Sequence, residues 1–499
     1  MLLLGIDIGT SSIKFSVVDS STQKIITSVA HPEKEAGIIS LQPGWAEQSA
    51  ETWWEHTMEG IQKLNATKLF NPQDIGAIGI AYQMHGLVLV DKEQNAIRNS
   101  IIWCDSRAVS YGENAFQKLG RKECLSVLLN SPGNFTAAKL AWVKDNEPQV
   151  YKRIDKIMLP GDFIAMKLTG EITTTISALS EGIFWDFREN RISEMILNYF
   201  GFDDFLFPPV RDVFCEHGNL QTKVAEKLSL RSGIPVTYKA GDQLNTALSL
   251  NVLEPGEVAA NAGTSGVIYA VSDDIAYDPQ SRINSFAHVN YTNETKRIGV
   301  LLCINGAGIT NNWIKSLNGK KESYAELNDL IKNIPPGSEG LIFLPFGNGA
   351  ERMLKNKLTE AHIHGIDFNK HSIAHLYRAG QEGIAFAFRH GMDIMMDNGI
   401  QPSVIRAGHT NMFLSDVFVE AFVNTTGVPV ELYEIDGSAG AALGAGIGAN
   451  AFSITEAFEN LTPIKRVEVT DAMVYNELYE KWEEELTKEL ESINQKTEV

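Results

Sequence analysis

The chain has 499 residues, 44% of them hydrophobic and 21% charged, and a formal net charge of −19. That balance belongs to a globular protein rather than a disordered one, and the length exceeds a single ordinary core, so two large domains are expected. The acidity argues against a nucleic-acid partner, which takes clustered Lys and Arg, and no apolar run approaches the ~18 residues of a membrane span.

The N-terminus, Met1-Leu2-Leu3-Leu4-Gly5-Ile6-Asp7, has no basic region and meets an acid early, so it reads as a buried strand and not an export signal. Cys104, Cys124, Cys215 and Cys303 lack metal-ligand spacing and read as reduced thiols, which places the protein in the cytoplasm. Residues 2–8, 13–19 and 24–31 form apolar runs that predict a β-meander buried on both faces. The spacing of Trp53, Trp54, Met58 and Ile61 predicts an amphipathic helix over 50–64. A buried strand follows at 75–81, and a strand pair is expected at 86–91 and 101–105. Residues 106–230 read as mostly helical. A strand at 234–240 stops at Gly241-Asp242, and a helix takes over at 243–250.

Glu254-Pro255-Gly256 is a turn signal, and the boundary between domains 1–250 and 251–499 is placed beside it. A strand, a turn and a strand (267–271) then restart the pattern. Helices are expected at 311–317, 371–398 and 476–494. The run Gly437-Ser438-Ala439-Gly440-Ala441-Ala442-Leu443-Gly444 reads as a small-residue helix that packs closely on a neighbour.

The most informative pattern occurs twice. Asp7-Ile8-Gly9-Thr10-Ser11 and Asn261-Ala262-Gly263-Thr264-Ser265 are each flanked by strands, so each reads as a hairpin tip. Glycine lets such a turn approach a ligand closely, while successive N–H groups and hydroxyls form an anion-binding concavity. Two tips suggest two related α/β domains holding one polyphosphate from opposite sides.

Along nearly its whole length the chain resembles the FGGY carbohydrate kinases. The resemblance rests on Asp7-Ile8-Gly9-Thr10, Gln83-Met84-His85-Gly86, Trp103-Cys104-Asp105-Ser106-Arg107 and Lys139-Leu140-Ala141-Trp142. It continues through Ala240-Gly241-Asp242, Asn261-Ala262-Gly263-Thr264-Ser265 and Ala442-Leu443-Gly444-Ala445, in family order and spacing. It implies two ribonuclease-H-like (actin-type) domains closing on a sugar, ATP and Mg²⁺. It also implies phosphorylation of a ketopentose, D-xylulose to D-xylulose 5-phosphate, and carries the expectation of a homodimer.

The same resemblance assigns roles. Asp242 is the expected base, against the plainer reading that it only caps the following helix. Asp7 is the expected Mg²⁺ ligand. Met84, His85 and Gln243 are expected at the sugar, and Gly9, Thr10, Ser11, Gly263, Thr264 and Ser265 at the phosphates. Gly308, Asn312, Gly408 and Asn411 are expected at the nucleotide. Trp103, Asp105 and Arg107 are expected to buttress the sugar pocket, and Trp185 to line it or lie in the core. The chain departs from the family at Gln243, where kinases acting on xylulose usually have Asn, and at Ala407-Gly408-His409-Thr410-Asn411, where a glycine run is usual. Met-His also occurs in gluconate kinases of the family. A gluconate or ribulose kinase, and a switch ATPase without a sugar substrate, therefore stay open.

Overall fold

Strands β1 (Leu2–Ile8), β2 (Ile13–Asp19), β3 (Ile25–His31), β4 (Ile75–Tyr82) and β5 (Val236–Gly241) form one sheet, ordered β5-β4-β1-β2-β3. The first three strands are antiparallel, and β4 and β5 run parallel to β1. Strands β6 (Glu257–Ala262), β7 (Gly266–Ser272), β8 (Ile298–Ile304), β9 (Val404–Gly408) and β10 (Val430–Tyr433) repeat this threading. Their sheet gains Asn284–Ala287 beyond β8 and Lys465–Val467 beyond β10. These relationships come from a computed structural model that describes residues 1–275, 277–317, 322–434 and 436–497. The fold is thus α/β with two ribonuclease-H-like sheets, as the resemblance implies.

The helices that matter for the site are α1 (Ala50–Ala66), α2 (Thr136–Asn146), α3 (Ile176–Glu181), α4 (Asp242–Ser249), α5 (Gly308–Leu317), α6 (Ile373–Asp397), α7 (Gly437–Gly448) and α8 (Ala472–Thr497). Central strands β1 and β4 are buried on both faces, which is why they read as continuous apolar runs. Edge strand β3 alternates towards solvent. Helix α1 starts at Ser49, whose hydroxyl accepts the Thr52 N–H, and lays Trp53, Ile61 and Leu64 into the core.

Helix α7 lies late in the chain, yet it packs on the first sheet. A Cβ on Gly5 would sit 1.7 Å from the Ser438 carbonyl oxygen, and one on Gly79 would sit 1.9 Å from that of Ala441. Only residues without side chains let helix and sheet approach so closely. Helix α7 also packs along α4, where a Cβ on Gly440 would meet Ser249 Oγ at 1.7 Å, and Asn245 Nδ2 donates to the Gly437 carbonyl at 2.8 Å. The helices that follow the fifth strand of each sheet therefore form the seam between the halves. Their N-termini bring Asp242 and Gly437 together around Asp7.

One expectation is corrected. Residues 86–91 and 101–105 do not pair as a strand pair beyond the single bridge Leu87–Ile101. Val88–Val90 pairs with Lys156–Met158, and Ser100–Ile101 pairs with Glu47–Gln48. The Asp91 carboxylate accepts the N–H groups of Glu93 and Asn95 and folds the chain back on itself, so that Ala96 bridges to Val90. Residues 100–101 are thereby left to another partner. The segment 106–230 alternates helices with strands of two or three residues.

Candidate active site

The first turn closes tightly between Ile8 and Ile13, which pair across β1 and β2. Its Gly9 N–H is engaged inside the turn, donating to the carbonyls of Asp7 (3.2 Å) and Ser12 (3.1 Å). Among the described residues, the Thr10 and Ser11 N–H groups donate to no backbone carbonyl, so these two are free to face a ligand. A polar lattice holds the turn from behind. Trp103 Nε1 donates to Thr10 Oγ1 (3.0 Å), Gln48 Nε2 donates to the Thr10 carbonyl (2.8 Å), and Gln83 Nε2 donates to Gln48 Oε1 (3.1 Å).

Asp7 ends this wall. A Cβ on Gly437 would stand 2.3 Å from its Oδ2, so the helix terminus rests directly against the carboxylate. Burial, and secondarily Asp436, push the Asp7 pKa up to about 6 against the opposing pull of Lys14, its cross-strand partner. The Asp7 carboxylate, with Asp436 near enough to act on it, offers oxygen donors of the kind a hard divalent cation takes.

Asp242 opens α4 at the end of β5. Burial raises its pKa to about 7, the nearby Asp7 carboxylate adds to the rise, and hydrogen bonds from Gln243 oppose it. Gln243 is thus placed on the Asp242 carboxylate itself. Gly241, just before them, leaves space for the neighbouring side chains: a Cβ there would meet Met84 Cγ at 2.6 Å and Glu181 Oε1 at 3.1 Å.

His85 has φ of 59°, a left-handed conformation uncommon for a residue with a side chain. Its surroundings fix it there. The His85 N–H donates to Glu181 Oε2 (2.9 Å), its carbonyl accepts from Lys139 Nζ (2.7 Å), and its ring stands edge-on to Phe135 with centroids 4.8 Å apart. Burial, reinforced by Lys139, lowers its pKa to about 3, so the ring is neutral at physiological pH. A residue with a side chain held this firmly in a left-handed conformation is a mark of a functional position.

Glu181 was not picked out from the sequence. It is fully buried, accepts the Tyr82 hydroxyl at 3.0 Å, and burial holds its pKa well above the carboxylate range. Nothing local marks it, because its role comes from strand β4 arriving from a hundred residues earlier. Asp105 and Arg107 do form a buttress: Arg107 Nη2 donates to Asp105 Oδ2 at 2.7 Å, and Arg107 Nη1 lies 2.7 Å from Glu47. The guanidinium stacks 3.8 Å above the Trp45 ring. Trp103 stands apart from that buttress, 52% exposed beside the Thr10 turn, whereas Trp185 is buried in the core.

The second turn docks on α5. The Gly308 N–H donates to the Gly263 carbonyl (2.8 Å) and the Ile309 N–H to that of Thr264 (3.1 Å). A Cβ on Gly308 would come within 2.3 Å of the Gly263 oxygen, which explains the glycine. Beside this junction opens a cavity of about 830 Å³, lined by Gly263, Thr264, Gly308, Asn312, Tyr324 and Asn411, among others. That volume is ample for a nucleotide-sized ligand. Tyr324 donates to Asn312 Oδ1 at 3.1 Å and fixes the amide at the cavity wall. Ser265 and Gly408 do not line it. Gly408 is buried at the end of β9, where its carbonyl accepts the Thr410 N–H.

Each half therefore offers a glycine-threonine-serine turn, but only the first adds paired carboxylates. The arrangement can hold a polyphosphate from two sides with a carboxylate base nearby. The FGGY carbohydrate kinase N-terminal domain model matches residues 2–249 and the C-terminal domain model matches residues 258–451. The chain belongs to the FGGY family of carbohydrate kinases, and it is a carbohydrate kinase. Kinases of this family use ATP.

Among its relatives, the xylulose kinase of Escherichia coli (strain K12) is 28% identical over 95% of this chain and 96% of that protein. The xylulose kinase of Lactococcus lactis is 30% identical over 79% of this chain and 76% of that protein. Among solved structures, xylulose kinase from Rhodospirillum rubrum shares the fold with a TM-score of 0.87 at 24% identity, covering 98% of this chain and 99% of that one. Gluconate kinase from Lactobacillus acidophilus does so with a TM-score of 0.89 at 22% identity, covering 99% of each. Among the described residues, no helix is long and apolar enough to cross a membrane.

Proposed function

We propose that this kinase transfers the γ-phosphoryl group of ATP to the terminal hydroxyl of a ketopentose, D-xylulose, giving D-xylulose 5-phosphate. The observation that carries the reading is the place of Asp242, at the head of α4 beside the Asp7 carboxylate and directly after Gly241, which packs on Met84 and Glu181, with its pKa raised by burial to about 7. A base tuned close to working pH is half ionised and still a competent proton acceptor. The new bond forms between the sugar oxygen and the γ-phosphorus as the bond to the ADP oxygen breaks, and the hydroxyl proton passes to an Asp242 oxygen.

The free N–H groups of Thr10 and Ser11 and the turn at Gly263-Thr264-Ser265 cradle the phosphates. Gly308, Asn312 and Asn411 hold the nucleoside end. Asp7 would hold Mg²⁺, which when bound would supply charge neutralisation for the phosphates. Neutral His85, whose Nδ1–H is held by the Glu181 carbonyl at 3.0 Å, presents Nε2 to accept a hydrogen bond from a sugar hydroxyl, with Met84 as apolar wall. In this reading residues 1–250 carry the sugar side and 251–499 the nucleotide side, and closure about 251–256 excludes water.

A neutral acceptor suits the charges near the sugar side. Arg107 is matched by Asp105 and Glu47, and Lys139 donates to the His85 carbonyl. The xylulose kinases among the relatives support the same sugar. One observation favours a second reading, a sugar acid such as gluconate. Arg352 stacks towards Phe135, 5.8 Å from its ring centroid, and its hydrogen-bond partners are the neutral Asn284 and Ser131.

ADP release with MgATP across D-xylulose, D-ribulose, L-ribulose, gluconate and glycerol, with a no-sugar control, separates these. D-Xylulose is expected to give the largest kcat/KM. A larger value for gluconate would transfer the reaction to the sugar acid, and turnover independent of any sugar would make the protein a switch ATPase.

A further inference from the structure

Outside the residues of the cleft, the strand Glu360–His364 lies against α8. Strand side chains alternate, so His362 and His364 share one face, and helix positions four apart do the same for Glu485 and Glu489. His362 Nδ1 is 3.6 Å from Glu489 Oε1, and His364 Nε2 is 3.7 Å from that same oxygen. The two imidazole rings are stacked, with centroids 5.9 Å apart.

The far nitrogens define the protonation. His362 Nε2 lies 2.7 Å from the Thr359 carbonyl oxygen, which can only accept, so this nitrogen carries the proton. In the neutral ring, Nδ1 then turns a lone pair towards the Glu489 carboxylate. His364 Nδ1 is 3.5 Å from Glu485 Oε2, while its Nε2 is buried and has no hydrogen-bond partner. One carboxylate oxygen facing two imidazole nitrogens at these separations is satisfied by a proton or a metal cation between them.

The three donor atoms lie within 4.8 Å of one another. Tetrahedral zinc, with bonds of about 2.0–2.2 Å, holds neighbouring ligands about 3.4 Å apart, close to the two separations found here. Metal-bound histidines also direct their other nitrogen to a carbonyl or carboxylate, as Thr359 and Glu485 provide.

We propose that His362, His364 and Glu489 form a zinc-binding site that ties α8 to the strand Glu360–His364, with Glu485 orienting the His364 ring. The fourth position is open to water. Imidazole donors suit zinc and disfavour Mg²⁺, so the site is independent of the cation used for phosphoryl transfer. A cluster in the first half, His31, His56 and Glu59, serves as contrast. There His31 Nε2 already hydrogen-bonds Glu59 at 2.7 Å, and the Glu59 side chain is 59% exposed.

The test uses untagged full-length protein, stripped with a chelator and titrated with Zn²⁺ in calorimetry and thermal unfolding, without Mg²⁺ or nucleotide. One tight equivalent is expected, with a rise in Tm because the metal binds only the folded chain. His364→Gln and His362→Gln should each lose it. Glu485→Gln should keep the stoichiometry at affinity lowered about 10- to 100-fold, and His56→Gln should bind as the wild type does. No zinc uptake up to about 100 µM, or unchanged affinity in the doubly substituted His362→Gln, His364→Gln protein, would overturn the proposal.

Discussion

Asp7 and Asn261 occupy the same place in the two sheets, each the penultimate residue of the first strand and each followed by Gly-Thr-Ser after one further residue. One is a carboxylate whose pKa burial raises to about 6, and the other is an uncharged amide. The helices that close the seam repeat the contrast: α4 begins on Asp242, whereas α7 begins on Gly437 and gives its space to Asp7. A duplicated scaffold has thus become asymmetric at two positions. The first sheet concentrates negative charge where a phosphoryl group would be transferred, and the second provides a neutral cavity where a nucleoside would rest.

If that division is right, substitutions on the first side act on kcat and those on the second act on the KM for ATP. Asp242→Ala should lower kcat by about 1,000-fold while thermal unfolding stays cooperative, which is the range for loss of a general base. Asp7→Asn, which restores the symmetry with Asn261, should cost about 100-fold in kcat, measured with saturating ATP and sugar. Gly308→Ala forces a Cβ against the Gly263 oxygen, and overpacking of about 1–3 kcal/mol should raise the KM for ATP about tenfold and leave kcat nearly intact. Tyr324→Phe removes one hydrogen bond to Asn312, worth about 1 kcal/mol, so the same KM should rise about fivefold. A kcat defect from either second-side change would break the comparison.

Much of this asymmetry was legible because it rests on local chemistry. Strands β1 and β4 announce themselves as apolar runs, and the paired turns stand out because glycine followed by hydroxyls has few other uses. The small-residue run of α7 pointed to close packing, although not to the first sheet as its partner. What stayed hidden depends on distant pairing. Glu181 reaches the site through β4, Val88–Val90 finds its partner at Lys156–Met158, and Arg352 meets Ser131 across the molecule. Gly408 and Asn411 differ in a way that the sequence does not show. The family pattern draws both to the nucleotide; Gly408 is buried at the end of β9, while Asn411 lines the cavity.

The raised carboxylates also affect stability. Asp242 binds its proton more tightly in the folded than in the unfolded chain, so its unfavourable contribution appears as pH rises from about 4 to about 7 and is complete above that. The same titration governs activity and can be read in the unmodified enzyme. The most direct measurement is therefore the pH dependence of kcat/KM for the sugar, which reports the free enzyme. The account predicts a plateau above an apparent pKa near 7, belonging to the coupled Asp7–Asp242 pair, and a fall of about tenfold per pH unit below it. A profile flat from about pH 5.5 to 8.5 would contradict a base of that pKa at Asp242.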